Sequence, residues 1–199
     1  MLRKIEEVKA LKKLYKEHIQ KDFPKNEYPP YFLLKYYLKK GKIEAFLLEE
    51  EGKEKAYCIN CKANQYVLVL LLAVYQECRG EGIGTKLLSE IKNYYKQEKG
   101  IFLEVEIPKE AKEEKEKQIR EKRIRFYEKS SFQKIDEIIL TAYGVNYYLM
   151  YYTEKPEEKK EEKEKLVNYM IQCYLNLYQG AKRYIKYSNE TNLEREENG

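Results

Sequence analysis

One stretch of the sequence, residues 66–95, constrains the fold more than any other. An uninterrupted apolar segment, Tyr66–Val74, leads into a turn with glycine at three alternate positions: Gly80, Gly82 and Gly84. A strand without polar interruptions is expected to be covered on both faces. Glycine has no Cβ and tolerates positive φ, so it suits a turn in which backbone approaches a ligand closely. The sequence therefore predicts a buried strand, a tight turn and an amphipathic helix in succession.

The junction of this turn with the helix, which we predict to begin near Thr85, is expected to bind an anion. The first N–H groups of a helix have no intrahelical acceptor, and they lie at its positive end. Such a concave set of donors is most often used for phosphate. We therefore predict a phosphorylated ligand held by the main chain at the turn.

Two common phosphate-binding patterns do not fit the turn. A Walker loop requires Gly-x-x-x-x-Gly-Lys-Ser/Thr, whereas Gly84 is followed by Thr85 and then Lys86, and the spacing from Gly80 is one residue short. The dinucleotide pattern G-x-G-x-x-G requires a third glycine where Thr85 stands. The turn thus belongs to another class of phosphate site.

The spacing Arg79-x-x-Gly82-x-Gly84 after an apolar strand resembles the acyl-coenzyme A motif of the GNAT superfamily of N-acetyltransferases. A second segment, Arg123–Phe132, resembles the family signature R-x-x-x-F-Y-E-K-x-G-F, with Ser131 in place of the usual glycine. The two motifs occur in the family's order with a predicted strand, Ile101–Glu106, between them. The resemblance covers residues 1–153.

The resemblance implies a GNAT-like α+β fold (α/β/α), with a mixed, largely antiparallel central sheet flanked by helices and an extra helix at the carboxyl end. Periodicity and turn residues give a consistent order of elements. We predict helices at 5–21 and 31–39, strands at 42–50, 55–63 and 66–74, a helix from Thr85 ended by Gly100, a strand at 101–106, a charged helix at 108–118 continuing to 129, and strands at 132–141 and 147–153 joined by the turn 144–146.

We predict three parts: a GNAT-like acetyltransferase domain at 1–153, an amphipathic helical appendage at 154–187 and a flexible tail at 188–199. Glu154-Lys155-Pro156 marks the first boundary, and an apolar stripe from Leu166 to Ile185 indicates the appendage helix. This helix either packs back on the domain, forms a homodimer contact, or covers the mouth of the acceptor site.

The resemblance also implies where acetyl-CoA binds. Main-chain groups of the strand would pair with the pantetheine arm, the N–H groups of the turn would hold the pyrophosphate, and Arg79 would add a charge-assisted contact. The expected cofactor-binding residues are Leu72, Ala73, Val74, Arg79, Gly80, Gly82, Ile83, Gly84 and Thr85.

Three residues are candidates for the chemistry of transfer. By the resemblance, Tyr127 is the general acid for the departing thiolate, since a tyrosine with a pKa near 10 remains protonated at pH 7. Glu104 and Glu106 share one face of the strand Ile101–Glu106. Either they end the strand at an exposed rim, or one of them accepts the amine proton, directly or through water, with a pKa raised by burial.

Composition excludes several function classes. The net charge of +5 over 199 residues is modest and interspersed, which suits an anionic ligand but lacks the basic stripe of a nucleic-acid-binding protein. The longest apolar run is too short to span a bilayer, and the amino end has no apolar signal region. We therefore predict a soluble, cytoplasmic protein that uses neither nucleic acid nor membrane.

A metal site is not expected. Cys58 and Cys61 form a C-x-x-C pair without a second half, and the only histidine, His18, is predicted to be an exposed surface residue. We interpret the cysteines as structural thiols.

The resemblance implies an N-acetyltransferase that moves an acetyl group from acetyl-CoA directly to a primary amine of a small molecule or protein. Two alternatives remain at this point. The fold could bind acyl-CoA without transfer, as a sensor or interaction module. The chain could also be a protein–protein scaffold in which the glycine-rich turn is only structural.

Overall fold

The computed structural model describes residues 1–155, 157–158 and 161–189. The strands are β1 Leu2–Ile5, β2 Ile43–Glu50, β3 Lys53–Ala63, β4 Tyr66–Val74, β5 Gly100–Glu106, β6 Gln133–Ala142, β7 Val145–Tyr152 and β8 Ile185–Asn189. The helices are α1 Val8–Leu14, α2 Gln20–Asp22, α3 Tyr31–Lys39, α4 Ile83–Tyr94, α5 Glu114–Lys129 and α6 Lys163–Leu177. The strands form one sheet in the order β1-β2-β3-β4-β5-β7-β6-β8. The predicted fold class, a mixed and largely antiparallel sheet flanked by helices, is confirmed.

The first of two compact units comprises residues 1–62 and 69–95. Its strands β1, β2 and β3 are antiparallel neighbours, and the β2–β3 turn places Glu51 and Gly52 at φ values of 51° and 73°. Two successive positive φ values are typical of the hairpin turn that matches strand twist. Strand β1 was not predicted, because Met1–Ile5 is short and its charged residues continue into a helical pattern.

The amino-terminal helical region is interrupted. Between α1 and α2 lies a π-helical turn, Tyr15–Ile19, and the region ends where Phe23 takes an extended conformation before Pro24. Its buried residues Leu11, Leu14 and Ile19 keep the predicted stripe inside. Helix α3 has the predicted bounds because Pro30 precedes its first turn, where a missing N–H costs no helical hydrogen bond.

Helix α4 presents the predicted apolar face to the unit's interior: Ile83, Leu87, Leu88 and Ile91 are all buried. It begins two residues before the predicted Thr85, and Tyr95 is its carboxyl cap. The prediction that Gly100 ends this helix was wrong. Gly100 is the first residue of β5, and a Cβ there would collide with the ring of Tyr151.

The second unit comprises residues 63–68 and, among described residues, those from Lys96 onward. Over the described residues, β4 and β5 form three parallel pairs, from Tyr66–Gly100 to Leu68–Phe102. Strand β7 is antiparallel to both β5 and β6. The β6–β7 turn lies at Tyr143 and Gly144, with φ of 52° and 84°, so the predicted turn residues 145 and 146 belong to β7 instead.

Helix α5 is shorter at its start than predicted. Pro108–Glu110 form a single 3₁₀ turn, residues 111–113 are not helical, and α5 begins at Glu114. Its end shows why the second motif usually has glycine at this position. Ser131 has a φ of 66°, the left-handed conformation that glycine adopts most easily.

Helix α6 packs within the second unit. The ring of Tyr169 stacks on Tyr66 with centroids 4.4 Å apart, and the thiol of Cys173 lies 3.6 Å from the carbonyl oxygen of Tyr66. These contacts correspond to the first of the alternatives for the appendage helix, packing back on the rest of the fold.

The end of the described chain differs from prediction. Ile185 does not continue a helix, because residues 185–189 form β8, whose Ile185 pairs with Ala142 and Asn189 with Ile138. Residues 188 and 189 of the predicted flexible tail therefore lie in a strand. Residues 190–199 of that tail, and Pro156 of the predicted boundary, lie outside the described residues.

Candidate active site

The glycine-rich turn ends in an uncapped helix start. Gly80 and Gly82 have φ of 90° and 77°, and Gly82 is the residue before α4. No side chain caps this end. The first helical hydrogen bond is donated by the N–H of Lys86 to the carbonyl oxygen of Gly82 at 3.1 Å. The N–H groups of residues 83–85 are therefore left without helical acceptors.

The space in front of this turn is open. A Cβ built on Gly80 or Gly82 would meet no heavy atom within 4 Å. Packing therefore does not require glycine at these positions; the positive φ does. Gly84 lies inside α4 and is not among the residues with positive φ. Open space over uncapped donors is the arrangement that a phosphate group requires.

Cationic side chains surround the turn. Arg79 donates from Nε to the carbonyl oxygen of Val74 at 3.2 Å and from Nη2 to Asp22 Oδ1 at 3.3 Å, yet its side chain remains 56% exposed. Lys55 and Lys86 both pair with Glu50. Asp22 was not predicted, because it lies 57 residues from Arg79 in the chain.

The end of β4 is more open than its beginning. Residues 66–69 are buried, whereas Leu72, Ala73 and Val74 are half-buried. The carbonyl oxygen of Val74 accepts the hydrogen bond from Arg79, so strand end and turn are joined directly.

Glu104 lies on β5 in an environment unlike that of a rim residue. The hydroxyl of Tyr174 on α6 donates to its Oε2 at 2.7 Å. Its Oε1 is sealed from solvent and has no hydrogen-bond partner among the described residues. Burial raises the pKa of Glu104 from the ordinary 4.5 to about 7, and the hydrogen bond from Tyr174 acts in the opposite direction. A carboxyl group with this pKa can exchange a proton near neutral pH.

Glu106, two residues further on, is held differently. Its Oε1 accepts from Arg120 at 2.8 Å and its Oε2 from Arg123 at 2.9 Å. With both oxygens engaged by guanidinium groups, this carboxylate is suited to anchoring α5 on β5. The geometry favours Glu104 over Glu106 as a proton acceptor.

Tyr127 lies in α5, within the second motif. Its side chain is 8% exposed and its ring packs against Phe126 and Phe132, with centroids 5.1 and 6.0 Å away. Burial raises the pKa of Tyr127 above its ordinary value of 10, while the positive charge of Arg123 acts in the opposite direction. The phenol therefore keeps its proton throughout the physiological range.

The predicted site residues fall into two groups. Leu72 to Thr85 lie in the first unit, where the strand end, Arg79 and the helix start are joined. Glu104, Glu106 and Tyr127 lie in the second unit. Sequence reasoning missed Tyr174, which is separated from Glu104 by 70 residues and had no signal beyond its place in the helical stripe.

His18 differs from prediction. It is half-buried, and its ring stacks on Tyr75 with centroids 3.6 Å apart and an interplanar angle of 5°. The prediction of an exposed surface residue was wrong, because the ring of His18 is covered on one face by Tyr75. Both rings line a small cavity that also includes Glu17 and Glu54.

The cysteines are all free thiols; Cys58, Cys61 and Cys173 are buried and Cys78 is half-buried. Burial raises the pKa of Cys58 to about 12. Among the described residues, no cluster of three or more His, Cys, Asp or Glu side chains is arranged to hold a metal ion. Within the same part of the chain, no helix has the length and apolar character needed to cross a membrane.

Comparison with known proteins identifies the fold. Residues 42–134 match the family model described as an acetyltransferase (GNAT) domain. A search of curated protein sequences found no significant match. A structure from Bacteroides thetaiotaomicron, assigned to the GNAT family of acetyltransferases, superposes with a TM-score of 0.68 at 21% identity, covering 85% of this chain and 98% of that one.

Two further solved structures share the fold. Mutant forms of the spermidine/spermine N-acetyltransferase from Vibrio cholerae superpose with a TM-score of 0.56 at 15% identity, covering 81% of this chain and 99% of theirs. The ribosomal-protein-S18-alanine N-acetyltransferase from Escherichia coli has a TM-score of 0.53 at 17% identity, covering 79% of this chain and 97% of that one. Residues 42–134 are thus similar to a GNAT acetyltransferase domain, and the chain shares the fold of these solved structures.

Proposed function

We propose that this protein transfers an acetyl group from acetyl-CoA to a primary amine, with Glu104 as the proton acceptor and Tyr127 as the proton donor. The observation that carries the proposal is the carboxyl group of Glu104, which has a pKa of about 7 and an Oε1 that is sealed from solvent and has no hydrogen-bond partner among the described residues. A protein that only bound acyl-CoA would have no use for such a group, and an oxygen sealed from solvent without a hydrogen bond costs stability.

The residues of the first unit fit a coenzyme A molecule. The N–H groups at the start of α4 would bind its pyrophosphate, and Arg79 is exposed enough to turn toward a phosphate oxygen. The half-buried backbone of Leu72 to Val74 would pair with the pantetheine arm. Val74 would then exchange its hydrogen bond from Arg79 for one from the ligand.

Acetyl-CoA would supply an activated thioester. In the overall transfer the amine nitrogen forms a bond to the acetyl carbon as the carbon–sulfur bond breaks, the nitrogen loses a proton and the sulfur gains one. Oε1 of Glu104 would accept the proton that the amine nitrogen loses, because no donor among the described residues already binds this oxygen.

Tyr127 would give its proton to the departing sulfur. Its raised pKa keeps the hydroxyl protonated until a strongly basic thiolate develops. Backbone N–H groups near Leu72 would stabilise the negative charge that builds up on the acetyl oxygen. Each turnover leaves one extra proton on Glu104 and one fewer on Tyr127, so a net transfer of one proton restores both side chains.

The acceptor is a primary amine whose scaffold is open to test. According to their names, the structural relatives act on spermidine or spermine and on an alanine of ribosomal protein S18. Spermidine and a short peptide beginning with alanine are therefore the first two probes, because they present a flexible polycation and a single α-amine respectively.

The first test measures acetyl-CoA binding through its effect on thermal unfolding. Ligand at a hundredfold excess over its dissociation constant should stabilise the wild type by about 2.7 kcal/mol. Gly82→Val should lose this effect. Gly41→Val is the matched control, because Gly41 also has positive φ (64°) and no heavy atom within 4 Å of a built Cβ, but follows α3.

Release of coenzyme A thiol with the amine probes then tests transfer. Thiol release that depends on amine and falls at least a hundredfold in Glu104→Gln supports the proposal. Binding without amine-dependent thiol release across a broad amine panel would instead indicate an acyl-CoA sensor. No stabilisation of the wild type by acetyl-CoA would remove the basis of the proposal altogether.

A further inference from the structure

The hydrogen bond between Tyr174 and Glu104 comes from a part of the chain that the family model does not include. The matched residues are 42–134, whereas Tyr174 lies on α6. Its hydroxyl donates to Oε2 of Glu104 at 2.7 Å, and the other carboxyl oxygen, Oε1, is sealed and unpartnered among the described residues. The two oxygens of this group are therefore in distinct environments.

We propose that Tyr174 is a positioning residue for the transfer reaction: it holds Oε2 of Glu104 and leaves Oε1 as the atom that takes the proton. This inference rests on the proposed function. It gives the carboxyl-terminal helix a role in the chemistry, beyond covering the sheet.

The ring of Tyr174 is itself supported. Tyr143, in the β6–β7 turn, packs against it with centroids 6.4 Å apart. Tyr143 in turn stacks on Tyr184 at 5.5 Å with an interplanar angle of 15°, and its N–H donates to the carbonyl oxygen of Tyr184 at 2.9 Å. Two aromatic rings, Tyr143 by direct contact and Tyr184 by stacking on Tyr143, thus restrict the rotamer from which Tyr174 reaches Glu104.

Burial is the main cause of the raised pKa of Glu104, and among the described residues this single hydrogen bond is the contact that lowers it. Opposite Glu104 on β7 is Leu149, which has no charge. The next charged group along β5 is Glu106, which is paired with Arg120 and Arg123. Among the described residues, Tyr174 is the titratable group that acts on the pKa of Glu104, and it acts against the effect of burial.

Removing the hydroxyl should therefore raise the pKa of Glu104. A hydrogen bond to a charged group is typically strong enough to move a pKa by about one pH unit. In the Tyr174→Phe variant, the acidic limb of the pH profile of kcat should move upward by about one pH unit. Turnover should then fall about fivefold at pH 7 and recover above pH 9. The acceptor's own titration cancels, because every variant is assayed with the same amine.

The control is Tyr178→Phe, which makes the same chemical change on an exposed tyrosine (57%) immediately after α6. A second readout is independent of turnover: ¹³C NMR of the carboxyl group of Glu104, titrated in wild type, Tyr174→Phe and Tyr178→Phe. Glu104→Gln identifies the resonance.

The inference is supported if Tyr174→Phe, but not Tyr178→Phe, moves both the carboxyl titration and the acidic limb upward. It is overturned if the acidic limb stays in place, whether or not the NMR titration moves, because Tyr174 would then not affect the reacting proton. If the wild type transfers acetyl to no amine while the NMR titration still responds to Tyr174→Phe, the proposed function fails, and the Tyr174–Glu104 pair remains as a structural contact only.

Discussion

Arg120 donates from Nη2 to Oε1 of Glu106 over 2.8 Å, and its Nη1 also bonds the carbonyl oxygen of Ile107 at 2.8 Å. The side chains of Arg120 and Glu106 are only 12% and 15% exposed. One guanidinium group therefore joins α5 to the end of β5. Glu104, two residues earlier on the strand, lacks any such ion pair among the described residues.

Because of this difference, we expect substitutions of Glu106 and Glu104 to have different effects on stability and on turnover. Glu106→Gln should lower the free energy of unfolding by about 1–3 kcal/mol, because it removes a charge from a shielded, hydrogen-bonded pair. The pH limb of turnover should stay in place. Urea denaturation and a pH–rate profile measure the two effects.

Glu116→Gln provides the control for that experiment. Glu116 also pairs with Arg120, at 2.6 Å, but it is 42% exposed and one helical turn away on the same helix. Glu116→Gln should lower the free energy of unfolding by less than about 1 kcal/mol. If Glu106→Gln abolished the acidic limb while Glu104→Gln kept it, the roles of the two residues would be reversed.

Gly82 and Gly84 should respond differently to alanine. Gly82→Ala should destabilise the protein by about 1–2 kcal/mol, since alanine is strained at positive φ. Gly84→Ala carries no such strain, and alanine favours a helix by about 1 kcal/mol over glycine. Thermal unfolding without ligand measures this contrast, and equal destabilisation by both would show that Gly84 has another structural constraint.

Stability should also depend on pH through Glu104. Its pKa is about 7 in the folded protein and near 4.5 when exposed, so the folded state binds this proton more tightly. The contribution of the protonated carboxyl is fully present below pH 4.5 and is lost as pH rises through 7. At 1.36 kcal/mol for each pH unit over this range, the change amounts to about 3 kcal/mol.

The measurement compares wild type with Glu104→Gln, which cannot ionise. Between pH 4.5 and 7.5, the free energy of unfolding of the wild type should fall by up to about 3 kcal/mol relative to that of Glu104→Gln. A difference that stays constant with pH would mean that Glu104 titrates normally.

Tyr127→Phe should reduce turnover and leave acetyl-CoA binding intact. The ring packing against Phe126 and Phe132 is preserved in phenylalanine, and only the proton donor is lost. A loss of 10²–10⁴-fold in kcat is the usual scale for a general acid. Tyr187→Phe, on a 40% exposed residue of β8, is the control. Unchanged turnover in Tyr127→Phe would exclude this hydroxyl from the mechanism.

The stacked pair of His18 and Tyr75 should contribute to the stability of the first unit. His18→Ala should cost about 0.5–1.5 kcal/mol through the lost aromatic contact, whereas His18→Phe should keep most of it. Chemical denaturation at pH 8 tests this. An alanine variant as stable as wild type would indicate that the stacking is incidental.

The sequence predicted those parts of the site that depend on local backbone conformation. Alternate glycines after an apolar strand indicate an open turn before a helix, and the structure has positive φ at Gly80 and Gly82. The second motif placed Tyr127 on a helix that ends at Lys129. Local patterns suffice here because the residues concerned are neighbours in the chain.

Long-range contacts could not be predicted in this way. The pairing of Arg79 with Asp22, and of Glu104 with Tyr174, joins residues 57 and 70 positions apart. The strand β8 was misread because Ile185 continues the apolar spacing of the preceding helix, and only its pairing with β6 makes it a strand. Periodicity describes a face, but it does not say what lies against that face.

Strand β8 has a practical consequence for handling the protein. It occupies the outer side of β6 from Ile138 to Ala142 and so satisfies the backbone groups there. A chain truncated after Tyr184 would leave a row of free N–H and C=O groups on a strand rich in isoleucine, the kind of edge on which other chains add themselves. Chains that lack β8 are therefore expected to self-associate, because β8 covers this edge of β6 in the intact chain.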